Sequence, residues 1–90
     1  MNKNNYRNKY KTKSLALASA IQTTSTSKLE YIDSSDPQRS EFIFDRSKDP
    51  SFDDIIARFW ACQLRVDAST FFNNLRYIKS RLYEEKNAKT

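Results

Sequence analysis

None of the ninety residues is glycine. Every reversal of the chain must therefore be made by Asn, Asp, Ser or Pro, because no residue that takes positive φ at low cost is present. Two-residue hairpins of the I′ and II′ types need such residues, so looser turns are expected. The same absence excludes the glycine-rich phosphate loops of P-loop and dinucleotide-binding proteins.

Histidine is also absent, which removes the commonest proton-transfer side chain and the commonest metal ligand. The single cysteine, Cys62, forms neither an internal disulfide nor a zinc site, and its solitude suits a reducing compartment. No apolar run approaches the roughly 20 residues of a membrane span. LALASAI is too short and follows too many polar residues to be a secretory signal. A cytoplasmic chain without a membrane partner is expected. Ninety residues make one domain, and six Phe, five Tyr and one Trp give it enough area to bury.

Hydrophobic spacing divides the chain into a tail over 1–5, a domain over 6–84 and a tail over 85–90. From Tyr6 the residues alternate. Tyr6, Asn8, Tyr10 and Thr12 fall on one face of a strand and Arg7, Lys9, Lys11 and Lys13 on the other. Ser14 is placed to cap a helix carrying Leu15, Ala18 and Ile21, which the hydroxyl-rich QTTSTSK ends. KLEYID (28–33) and EFIFD (41–45) read as strands turning Leu29, Tyr31, Phe42 and Phe44 inward, with SSDPQRS as the turn. Asp49-Pro50 reads as a cap and first-turn proline for a helix bearing Phe52, Ile55, Ile56, Phe59 and Trp60. QLRV breaks it. Asp67 then caps a helix with Phe71, Leu75, Ile78 and Leu82 as its stripe and Phe72 beside them. The fold expected is α+β, a three-stranded sheet covered on one face by helices, in the order β-α-β-β-α-α.

These segments resemble a family of short bacterial and phage-encoded proteins known as a domain of unknown function. Thr12, Leu15 and Ala18 match its first strand and Ala/Leu helix, and Phe42 and Phe44 its Phe-x-Phe strand. Val66, Asp67, Phe72, Lys79, Ser80 and Tyr83 match its last helix. Where that family tends to have a glycine after the first helix, this chain has QTTSTS. The resemblance implies a fold and a phage-like setting, and brings no activity or site with it.

Catalytic constellations are not evident, and no cofactor or metal site is expected. Cys62 reads as a small packing residue beside the apolar stripe. Asp53 and Asp54 sit where a helix dipole favours acids. Asp33, Asp36, Asp45 and Asp49 fall at turns, where the side chain bonds its own backbone. A non-enzymatic binding module is the expectation.

Charge suggests what it binds. The formal net charge is +5, arranged as two basic ends around an acidic middle. Arg7, Lys9, Lys11 and Lys13 on the first strand, with Arg76, Lys79, Arg81 and Tyr83 on the last helix, are candidates for holding DNA or RNA. Neighbouring Glu30, Glu41 and Asp45 are the alternative partners of those cations. A second reading is a protein-interaction or self-assembling module using Phe59, Trp60 and Tyr77.

Overall fold

A computed structural model describes residues 8–88. The elements are β1 (Lys9–Thr12), α1 (Leu15–Thr24), β2 (Tyr31–Asp33), β3 (Glu41–Asp45), α2 (Phe52–Trp60) and α3 (Ala68–Ala88), with 3₁₀ turns at Pro37–Arg39 and Arg46–Lys48. This is the expected α+β order. β3 is the middle strand, antiparallel to both neighbours. Tyr10 faces Phe44, and Phe42 lies between Thr12 and Ile32. Tyr6 and Arg7 lie outside the described residues.

Alternation along β3 puts Phe42 and Phe44 on the helix-covered face with Tyr10, whose ring meets Phe52 edge-on at 5.5 Å. β2 departs from the expected parity. Ile32, not Tyr31, enters the core, and Tyr31 is 48% exposed. Leu29 is nevertheless buried in the same cluster as Ile32, although they stand three positions apart, an odd spacing that a regular strand would put on opposite faces. The ladder explains this. The Glu30 amide donates to the Ile43 carbonyl at 2.9 Å, and Tyr31 is the register partner of that same Ile43. Two residues thus oppose one, the count of a β-bulge, and the alternation slips by one position.

α1 is the central helix, in contact with β1, α2 and α3. Leu17, Ala18, Ser19, Ala20 and Ile21 are all buried, a run that covers the helix on more than one side. Only small residues permit this closeness. Ser14 caps it as expected, its Oγ accepting from Leu17 N–H at 3.0 Å. The helix continues past Gln22 to Thr24, where the hydroxyls bond within it: Thr23 Oγ1 donates to Ser19 O at 2.7 Å and Thr24 Oγ1 to Ala20 O at 2.8 Å. Asn74 of α3 reaches Thr23 Oγ1 at 3.0 Å and ties the two helices.

The turns show how the chain manages without glycine. Asp33, Asp36, Asp45 and Asp49 each accept, through a carboxylate oxygen, from the backbone amide two residues on, at 2.8–3.1 Å. These are the Asx turns expected from the sequence. Asp67 caps α3 by accepting from Thr70 N–H at 2.9 Å. Asp49 also caps the turn before α2, but the helix starts later than expected, at Phe52 after the N-cap Ser51, whose carbonyl accepts from the Ile55 amide at 3.0 Å.

α2 ends at Trp60, short of Gln63. Cys62 stands at φ 59, the left-handed conformation. Its amide donates to Phe59 O at 3.1 Å, and the Gln63 amide to Arg58 O at 2.8 Å. That pair of bonds is the Schellman motif, with cysteine where glycine is usual. Cys62 is exposed, so it is a helix terminator and not the packing residue its place beside the stripe suggested.

Candidate functional site

α3 carries its charges on two flanks. At about 100° per residue, Phe71, Leu75, Ile78 and Leu82 form the inward stripe, with Ile78 fully buried. Phe72, Arg76, Lys79, Tyr83 and Lys86 fall along one side of that stripe. Tyr77 and Arg81 fall on the other. Phe72 does not widen the core: it is 56% exposed, with the Arg76 guanidinium 5.8 Å from its ring centre. Arg81 similarly lies 5.9 Å from the Tyr77 ring and donates to its hydroxyl at 3.3 Å.

The Lys79 flank borders a groove. Lys13 and Leu15 from the β1–α1 junction, Gln38, Arg39, Ser40 and Phe42 from the 3₁₀ turn and β3, and Leu82 and Lys86 from α3 enclose about 370 Å³. A second hollow of about 190 Å³, lined by Lys79, Leu82, Tyr83 and Lys86, shares two of those residues. Across both, the described lining residues include Lys13, Arg39, Lys79 and Lys86 and no acid. None of these four forms an ion pair among the described residues. Leu15, Phe42 and Leu82 supply the apolar part of the floor, among Lys13, Gln38, Arg39, Ser40 and Lys86.

Beyond Lys13 and Arg39 the sign changes. They also line a hollow of about 200 Å³ that contains Asp33, Asp36 and Glu41, which bounds the basic groove at that end. Another hollow, of about 520 Å³ beside Asn8, Pro50 and Phe52, holds Arg46, Asp49 and Asp53. There Arg46, the cation among the described lining residues, is paired with Asp53 at 3.0 Å.

The first-strand cations divide. Lys9 is paired with Glu30, which also takes Lys48 at 3.3 Å. Hydrogen bonding to Glu30 raises the Lys9 pKa, and the same bond from Lys9 holds Glu30 below the usual carboxylate range. Lys11 is exposed on the face opposite the core, beside Ile43. Only Lys13, past the end of β1, joins Lys79 and Tyr83 at the groove. Arg76 continues their flank, whereas Arg81 is turned away, and Arg7 lies outside the described residues. Arg39 and Lys86 are the groove residues the sequence reading missed. Lys86 was legible, since 76, 79, 83 and 86 continue one helical spacing; Arg39 required the fold.

Of the alternative interaction residues, Phe59 packs against the core, Trp60 is 63% exposed and Tyr77 46% exposed. Among the described residues no group of acids and Cys62 is arranged to hold a metal, and no helix is long and apolar enough to cross a membrane.

The fold is a small α+β domain, and beside α3 its described residues form two adjoining hollows lined by cations and apolar side chains. The chain belongs to the family described as a domain of unknown function, DUF5659, which matches residues 7–84. No curated protein matches it, and no solved structure does.

Proposed function

We propose that this chain is a small, non-enzymatic intracellular binding module that holds nucleic acid in the groove between β1, the Pro37–Arg39 turn and α3. The observation that carries the reading is the lining shared by Lys13, Arg39, Lys79 and Lys86, acid-free among the described residues. Four cations spread along two adjoining hollows favour a chain of phosphates, and fixed elements hold three of them at or near helix and strand ends. Lys9 has no part in this, because Glu30 neutralises it. The test is retention of mixed-sequence DNA and RNA at low salt. The proposal expects binding that weakens steeply as salt rises; no retention of either polymer contradicts it.

A second reading is favoured by Trp60. At 63% exposure it is a large apolar side chain left on the surface, edge-on to Phe59 at 5.0 Å, and of a type enriched at protein interfaces. A partner protein or a second copy covering Trp60 and Tyr77 is the alternative role. Sedimentation over a wide concentration range tests the second copy, with a strict monomer counting against it.

A further inference from the structure

We propose that the groove takes single-stranded nucleic acid, with Tyr83 as the stacking platform for a base; this rests on the nucleic-acid reading above. Tyr83 is 68% exposed, yet it lines the same hollow as Lys79 and Lys86. Those lysines stand four residues before and three residues after it, so on a helix they flank its ring. Ring and cations thus alternate along one line, the arrangement that tracks an unpaired strand: ammonium groups follow phosphates while a π-face receives a base. Phe72 with Arg76 repeats the pairing two turns earlier on the same flank.

The floor argues in the same direction. A duplex presents phosphates and sugars to a groove on its partner, and Leu15, Phe42 and Leu82 offer those nothing. Unstacked bases have apolar faces to bury there. Tyr83 lines the hollow of about 190 Å³, which adjoins the one of about 370 Å³ through Leu82 and Lys86, and both are on the scale of individual bases. The aromatic side chain needs no sequence-specific contact, since every base has a π-face, so weak sequence preference is expected.

The experiment compares a labelled single strand of about twelve nucleotides with the duplex of the same sequence, by fluorescence anisotropy at low salt, for the full chain and its variants. The single strand should bind at least about ten-fold tighter. Tyr83→Leu should weaken single-strand binding roughly 5- to 150-fold, while Tyr83→Phe, which keeps the ring, should stay near the parent. Lys79→Gln with Lys86→Gln should weaken it independently. Equal or tighter duplex binding, or an indifferent Tyr83→Leu with lysine variants still impaired, overturns the single-strand inference and leaves the nucleic-acid reading standing. Binding of neither form overturns both. Far-UV circular dichroism of each variant separates lost binding from lost folding.

Discussion

The Ser25 hydroxyl donates to the Asp49 carboxylate across 2.6 Å, joining the end of α1 to the turn that starts α2. Around this bond the same carboxylate accepts from the Thr26 and Ser51 amides at 3.1 and 2.8 Å. Ser27 N–H donates to Ser25 Oγ at 2.9 Å, and Ser27 Oγ to Asp45 O at 2.7 Å. Ser25, Ser27 and Asp49 are all buried. Asp49→Ala should destabilise the fold by about 2–4 kcal/mol in denaturant unfolding, because three donors lose their acceptor at once in a buried place. Ser25→Ala removes one of the three and should cost less, about 1–2 kcal/mol.

Acid should unfold the protein through the same group. The Ser25 hydroxyl bond, then the Ser51 amide bond, hold Asp49 below its ordinary pKa. Glu30 and Asp45 are also lowered, chiefly by Lys9 and by the Ser47 hydroxyl respectively. A carboxylate lowered on folding adds stability that is complete above its unfolded value, near 4, and vanishes as pH falls through the folded value. Stability measured by urea titration should be flat from pH 7 to about 5 and decline below about 4. Asp49→Asn should flatten that decline. Lys9, raised by Glu30, contributes in the opposite sense, losing its share only as pH climbs beyond the ordinary lysine value.

Cys62 carries a side chain in a conformation that favours glycine. Its φ of 59 places Cβ against the following carbonyl. Cys62→Gly should raise stability by about 0.5–1 kcal/mol, the relief of that clash being partly offset by the freer unfolded chain. Cys62→Val should lower it by about 1–2 kcal/mol, since a branched side chain fits the conformation worse. The denaturant midpoint reports both.

Much of this was legible in the sequence, where a single rule acted locally. EFIFD is the middle strand with the expected bounds, and Ser14, Asp67 and the four turn aspartates bond as their chemistry implies. The failures are of other kinds. Leu29 and Ile32 share the core because a bulge opposite Ile43 resets the alternation, which no period-two count reveals. Ser25 and Ser27 looked like linker because nothing local signals that the Asp49 carboxylate and the Asp45 carbonyl, far along the chain, will accept from their hydroxyls. Phe72 fits an apolar stripe by spacing, but α3 leaves it uncovered. In the candidate site, Lys79 and Tyr83 were readable from helical spacing. Lys13 was separable from Lys9 only once the fold set Glu30 against the latter, and Arg39 is brought to α3 by the turn before β3.

Trp60 offers a check that does not depend on any partner. With most of its ring in solvent, its fluorescence should be quenched by acrylamide nearly as readily as free tryptophan. Trp60→Ser should change stability by less than about 1 kcal/mol. Strong protection of the indole at high protein concentration, relieved on dilution, would mark self-association through this residue.

The central claim is that Lys13, Arg39, Lys79 and Lys86 act together on phosphates, and salt dependence measures it most directly. For a single-stranded oligonucleotide, log affinity falls with log salt by about 0.7 for each phosphate neutralised, so four cations give a slope of about −3. Lys79→Gln with Lys86→Gln should halve it to about −1.5, while Lys9→Gln, already paired in the parent, should leave it unchanged. A slope untouched by the double substitution, or lowered as much by Lys9→Gln, would contradict the assignment of the groove.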